Sequence, residues 1–208
     1  YLARDVRKKV GVPVIAGHRI NDPHTGRRLI DDGFCDMVAV GRSLIADPCF
    51  PEKAAAGRES EIVHCVACGQ GCFDNIFKMK AVECLCNPRA GHEGDTAEPV
   101  ETAKKIMVVG GGAAGMFAAL AAAEHGHRVV LHEKGLRLGG QLRLAGKPPG
   151  RDEFLVLADD LERQLAFAGV QVRTNSVIDR ETLAQERPDY LILATGGEPI
   201  LPPIPGVD

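Results

Sequence analysis

Residues 105–133 read KIMVVGGGAAGMFAALAAAEHGHRVVLHE, and this stretch decides the fold. Lys105–Val109 is a short apolar run of the kind that forms a strand buried on both faces. Gly110, Gly112 and Gly115 follow in G-x-G-x-x-G spacing, and Ala113 to His125 reads as a helix of small residues. Arg128–His132 is the second strand, and it ends at Glu133. Strand, glycine turn, helix and strand in this order predict a parallel βαβ unit with a dinucleotide at the turn. The first glycine permits the tight bend, the second lets a pyrophosphate approach the main chain, and the third lets the helix pack on the strand. The helix N-terminus then faces the phosphates with its free N–H groups. Glu133 sits where an acid accepts hydrogen bonds from an adenosine ribose, which favours FAD or NAD over NADP. The competing reading is a glycine-rich turn that binds nothing.

Downstream, Gly139-Gly140-Gln141-Leu142 follows Glu133 closely, and Ala194-Thr195-Gly196-Gly197 closes a later strand. Chain passing back over the turn at both places shifts the expectation from NAD towards FAD. Asp152 to Ala168 reads as a long amphipathic helix, and Val170–Arg173 and Tyr190–Leu193 as further strands.

Upstream lie the cysteines. Cys65, Cys68, Cys72 and Cys84 have the spacing C-x2-C-x3-C-x11-C, in HCVACGQGC and ECLCNP. Three thiolates from one compact loop and a fourth from a distance suit a [4Fe-4S] cluster. A four-cysteine zinc site stays open, although zinc usually takes two C-x2-C knuckles. Cys86, two residues after Cys84, competes for the fourth position. Cys35 and Cys49 read as thiols without a role. The segment has little apolar content and only one short helix, around Asp74 to Met79. A metal centre would staple it. Gly91 to Thr102 reads as a linker.

Residues 1–58 alternate helix and strand. Tyr1 to Val10 looks helical, Val12–Ala16 and Asp36–Val40 look like buried parallel strands, and Asp22-Pro23 opens a helix that runs to about Asp32 and stops at Gly33. Gly17-His18-Arg19 follows the first strand and Gly41-Arg42 the second. Small residues expose main-chain N–H groups and an arginine fork suits phosphate oxygens, so these two loops are a candidate phosphate site.

The bulk numbers exclude several classes. A net charge of −3, from 25 Lys and Arg against 28 Asp and Glu, gives no reason to expect nucleic acid or an anionic membrane as partner. No apolar run is long enough to span a bilayer, and the N-terminus lacks a signal-peptide layout. Clustered cysteines in such a chain point to a cytoplasmic metal or redox site rather than a secreted disulfide scaffold. The sequence begins inside a helix and ends at Pro205–Asp208 after a strand, as a fragment of a longer polypeptide would.

Taken together, AGHRINDP, VGRSLIADP, the cysteine spacing with CNPRA after it, VVGGGAAGM and GGQL closely resemble the bacterial 2,4-dienoyl-CoA reductase and trimethylamine dehydrogenase family. Its catalytic barrel is of the old yellow enzyme type. The resemblance covers essentially the whole chain, and the cysteine spacing looks more like the reductase branch. It implies an α/β chain in three parts. Residues 1–58 would be the C-terminal part of an FMN-binding (β/α)8 barrel. Residues 59–103 would be a loop-rich [4Fe-4S] segment and linker, and 104–208 the N-terminal part of a Rossmann-like FAD/NAD(P)-binding domain. It also implies FMN phosphate contacts from Gly17, His18, Gly41 and Arg42, with Arg19 nearby. Cluster ligation would come from Cys65, Cys68, Cys72 and Cys84, and FAD contacts from Gly110, Gly112, Ala113, Ala114, Gly115, Glu133, Gly140 and Gln141. The proton-donating residues of the family would lie upstream of this chain. The expected reaction passes electrons from NAD(P)H through FAD, the cluster and FMN to an enoyl-CoA-like or enone substrate. An amine dehydrogenase, an inactive fragment and a zinc-stapled binding module are the alternatives. The oligomeric state is not fixed by the sequence.

Overall fold

Two separate parallel ladders organise the chain. The computed structural model describes residues 2–95, 100–198, 200, 203–204 and 206. Contacts divide the chain into one unit of residues 1–98 and 142–164, and another of residues 99–141 and 165–208. The sequence reading carries 142–164 along with the nucleotide domain; their contacts group them with the N-terminal residues instead.

In chain order the first unit contains α1 (Leu2–Arg7), β1 (Ile15–Ala16), α2 (Pro23–Asp31), β2 (Met37–Val38), α3 (Arg42–Ala46) and α4 (Phe50–Ala55). A 3-10 turn at Glu59–Glu61 and α5 (Phe73–Phe77) follow. β1 and β2 are parallel, with Ile15 opposite Met37 and Ala16 opposite Val38. The crossover helix α2 starts as its sequence dictates: the Asp22 carboxylate accepts from the amides of His24 and Thr25 at 3.1 and 2.9 Å, and Pro23 occupies the first turn. Gly33, at φ +69, ends it. Both strands are shorter than the apolar runs around them. The Asp36 side chain takes the Val14 amide at 2.8 Å and so replaces a ladder bond at that end. Ile15 and Met37 remain exposed.

The second unit contains β3 (Lys105–Val109), α6 (Ala113–Glu124), β4 (Arg128–His132), β5 (Gln171–Arg173), α9 (Arg180–Glu186) and β6 (Tyr190–Leu193); between β4 and β5 the chain forms α7 (Gln141–Ala145) and α8 (Glu153–Phe167), which fall mostly in the first unit. The order β5-β4-β3-β6 is parallel throughout, the 3-2-1-4 arrangement of a mononucleotide-binding half. Met107, Val108 and Leu131 are fully buried in its centre, and Met116 and Ala119 of α6 are buried too. Val-rich strands and an Ala-rich helix are what close packing of this sheet requires.

The linker at 91–102 lies partly outside the described residues, as do Tyr1 and most of 205–208. No helix among the described residues is long and apolar enough to cross a membrane.

Candidate functional site

In the nucleotide unit, each glycine of the turn has a distinct physical reason. Gly110 has φ +112, and a Cβ there would lie 2.2 Å from the Ala194 carbonyl oxygen. A Cβ on Gly115 would lie 1.8 Å from the Gly110 oxygen, so only glycine lets α6 start this close to β3. Gly112 differs: its φ is −74 and a Cβ would meet nothing within 4 Å. The fold requires the outer two glycines, whereas the space beside the middle one is free for a ligand. Ala113 and Ala114 open α6, whose N-terminus has no side-chain cap. Gly139 bridges to Gly112 and donates to the Gly111 oxygen at 2.7 Å, and Gly140, at φ +48, sits over the Gly112 Cα. Gln141 follows on the exposed side.

Glu133 does something the sequence does not announce. Its carboxylate accepts the Gly111 amide at 2.6 Å and the Gly135 amide at 2.7 Å, so it braces the turn from within. A carboxylate has lone pairs left for ribose hydroxyls after accepting two amides. Glu133→Ala should therefore destabilise this unit by about 1–3 kcal/mol through the stranded amides. It should also weaken flavin retention. Denaturation monitored with flavin content checks both, and unchanged values for both would remove Glu133 from the site.

In the N-terminal unit, His18, Arg19, Gly41 and Arg42 line one cavity of about 310 Å³, together with Cys65 and Phe73. His18 and Arg19 both have left-handed backbone, at φ +82 and +53. Such conformations cost about 1–3 kcal/mol each and concentrate at functional sites. Ser43, buried at the start of α3, donates to the Ile20 oxygen at 2.9 Å and ties the two loops together. The Arg42 guanidinium stacks over Phe73, 5.4 Å from the ring centre. Arg19 lines the cavity but is ion-paired with Glu153. Gly17 precedes this loop, and a Cβ there would lie 3.9 Å from the Ala39 Cβ.

The cysteine loops are fastened to each other and to this cavity. Ala67 (φ +52) and Gly69 (φ +72) coil the first loop. The Ala67 amide points at the Cys65 sulfur, 3.4 Å away, and Asn21 Nδ2 donates to the Cys65 oxygen at 3.0 Å. The Glu83 amide donates to the Gly71 oxygen at 2.9 Å, and a Cβ on Gly71 would lie 2.5 Å from the Glu83 oxygen. That close approach places Cys72 and Cys84 on adjoining strands of loop. Burial raises the Cys65 thiol above its ordinary value, with Cys84 and Cys68 near enough to add to the effect. Cys65, Cys68, Cys72 and Cys84 are partly exposed, whereas Cys86 is buried.

Among the described residues, no group of three or more His, Cys, Asp or Glu is gathered to hold a single metal ion. A [4Fe-4S] cube takes one thiolate at each of its four corners, so its sulfurs stand further apart than those around one ion. The thiols that would hold such a group are Cys65, Cys68, Cys72 and Cys84, all partly exposed on the two pinned loops.

A hydrogen bond from Cys86 to Cys84 holds the Cys84 thiol below its ordinary value. The same bond, with burial, raises Cys86. In cluster-free protein, iodoacetamide should label Cys84 with a midpoint below that of an ordinary thiol and leave Cys86 unlabelled. Cys86→Ala removes the donor that favours the thiolate, so the midpoint should move up towards the ordinary thiol value of about 8.5. Mass-spectrometric labelling against pH reads this, and an unmoved midpoint would dissociate the two thiols.

Asp160, His64, Asn21 and Phe73 are site neighbours that motif spacing does not reveal. Asp160 alone leaves a trace, as an acid among the apolar positions of α8.

Residues 104–208 match the family model of pyridine nucleotide-disulphide oxidoreductases. The NADH oxidase of Thermoanaerobacter brockii is 46% identical over 213 residues, covering 100% of this chain and 32% of that protein. The solved complex of 2-naphthoyl-CoA reductase with 2-naphthoyl-CoA has a TM-score of 0.93 at 34% identity, over 99% of this chain and 32% of that one. The 6-hydroxypseudooxynicotine amine oxidase of Pseudomonas geniculata N1 has a TM-score of 0.86 at 28% identity, over 99% and 33%. The chain thus spans about a third of the length of these relatives. Its 3-2-1-4 sheet, glycine turn and matches along the whole chain lead to one assignment: it belongs to the pyridine nucleotide-disulphide oxidoreductase family through residues 104–208 and, over its length, to the 2,4-dienoyl-CoA reductase and trimethylamine dehydrogenase family of flavin-dependent oxidoreductases.

Proposed function

We propose that the chain is part of an iron–sulfur flavoprotein oxidoreductase in which electrons from NAD(P)H reach an activated C=C bond by way of FAD, a [4Fe-4S] cluster and FMN. The observation that carries this reading is that Cys65 lines the same cavity as His18, Gly41 and Arg42. A thiolate ligand and a phosphate-binding loop on one cavity wall bring a one-electron carrier beside a flavin.

When bound, these groups supply hydride acceptance from NAD(P)H, single-electron transfer, and hydride delivery to an enoyl-CoA-like or enone substrate. The chain's own residues bind and orient. Arg42 offers a guanidinium fork to the FMN phosphate, and the loops at Gly17–Arg19 and Gly41 offer main-chain amides. In this reading β1 and β2 are the last strands of a (β/α)8 barrel, whose phosphate site lies at these two loops. Cys65, Cys68, Cys72 and Cys84 hold the cluster. The α6 N-terminus, behind Gly110, Gly112 and Gly115, faces the FAD pyrophosphate, with Glu133 at the ribose and Gly140 and Gln141 at the flavin side. Reduced thiols of this kind belong in the cytoplasm.

A second reading, oxidation of an amine at FMN with electrons leaving through the cluster, draws on the structural likeness to an amine oxidase. Anaerobic mixing of the full-length polypeptide with NADH or NADPH separates the two. The reductase reading expects bleaching of the flavin bands and a reduced-cluster electron paramagnetic resonance (EPR) signal, both reversed by an enone. Bleaching by a tertiary amine, with none by NAD(P)H, would replace it with the second.

A further inference from the structure

Helix α8 connects β4 to β5 in sequence, yet residues up to Gln164 are part of the N-terminal unit. Leu157, Ala158 and Leu161 are buried there, and so is one acid: Asp160 has 0% exposure. A buried carboxylate is stable only when its oxygens are satisfied. Its partners are specific. The His64 amide donates to Asp160 Oδ2 at 2.7 Å, and His64 Nδ1 lies 3.0 Å from the same oxygen. The guanidinium of Arg163 pairs with Oδ1. The next turn of the helix extends the grip: Arg163 Nε donates to the Ser60 oxygen at 3.2 Å, and Gln164 Nε2 to the Glu61 oxygen at 2.7 Å. All these bonds fall on the segment that runs into Cys65. Two turns earlier on α8, Glu153 holds Arg19 of the cavity loop.

We propose that Asp160 is a positioning residue for the cluster loop: by fixing both the main chain and the ring of His64, it presets the Cys65 sulfur. The inference rests on the reading of Cys65 as a cluster ligand. A ligand held before the metal centre arrives loses less freedom on binding, and partners beyond the ligands tune affinity and orientation in such sites. The bond to the His64 amide lies one residue from Cys65, so it limits rotation of the loop where the first sulfur departs. His64 adds a second point of attachment, so the segment is held against rotation as well as displacement.

The test uses the full-length polypeptide with its cluster assembled anaerobically. Wild type, Asp160→Asn, Asp160→Ala and Leu157→Ala are compared by iron release to a chelator, the EPR spectrum of the reduced cluster and thermal unfolding. Asparagine keeps an acceptor for the His64 amide but loses the charge. It should release iron about 3-fold faster, and alanine at least about 10-fold faster, the order expected when one of several outer partners is lost. Both should shift the EPR g-values. Leu157→Ala loosens the same helix but removes none of the bonds between Asp160 and His64, and should lower the melting temperature while leaving the spectrum unchanged. If Asp160→Ala does not fold, Asp160→Asn decides. An Asp160→Asn protein with wild-type release and spectrum would overturn the proposal. So would a Leu157→Ala protein with the same spectral shift, since helix packing alone would then explain it. A wild-type protein that takes up no iron and sulfide overturns the cluster reading itself, and this proposal with it.

Discussion

Gly112→Ala should fold like wild type and lose its dinucleotide, whereas Gly115→Ala should fail to fold this unit properly. At Gly112 the backbone, at φ −74 and ψ 179, accepts any L-residue, and a Cβ meets nothing within 4 Å. The cost to the fold is about 1 kcal/mol or less, from a poorer helix cap. The added methyl would stand where a pyrophosphate approaches the main chain. Overpacking there, at about 2 kcal/mol, weakens binding roughly 30-fold. At Gly115 a Cβ would fall 1.8 Å from the Gly110 oxygen, and that oxygen is main chain. Helix α6 must then move off the sheet, at a cost of about 3 kcal/mol and a drop of more than about 10 °C in melting temperature. Thermal unfolding and FAD content of both variants check this. Gly112→Ala protein that keeps its flavin would place the dinucleotide elsewhere.

Cys68→Ser should abolish the cluster and the relay through it. Serine offers an oxygen where the centre needs a thiolate, and the loss of one corner leaves three ligands to hold the cube. Iron content should fall from roughly four per polypeptide to a small remainder. NAD(P)H-driven substrate reduction should fall by at least about 100-fold, in line with the loss of the link between the two flavins in the proposed chain. Reduction of the same substrate by chemically reduced FMN should survive, because the cavity residues His18, Gly41 and Arg42 are untouched. Persistent relay activity would remove Cys68 from the ligand set.

Much of the nucleotide unit was legible because its elements follow local rules. The strands Lys105–Val109, Arg128–His132 and Tyr190–Leu193 occur at the bounds their apolar runs predict, and α6 begins at Ala113 as the turn requires. The start of α2 is equally local, since Asp22 caps it and Pro23 follows. Helix α9 was missed although Asp179 caps it through the Thr182 amide at 2.8 Å, because its seven polar-rich residues carry no clear apolar period. The placement of α8 was illegible for another reason. Its amphipathic pattern predicts a helix but not which surface it covers, and the bonds that decide this join residues about a hundred positions apart. The same distance hid the link between Asp160 and the cysteine loop. Glu133 was found by its position after the second strand, but its bond to the Gly111 amide depends on how the turn folds back, which spacing does not encode.

The most direct test of the account is an anaerobic assay of iron, acid-labile sulfide and flavin on the purified full-length polypeptide, with its visible spectrum. The account predicts roughly four irons and four sulfides per polypeptide together with bound flavin. Zinc without sulfide would contradict it, and would leave the assignment resting on the nucleotide unit alone.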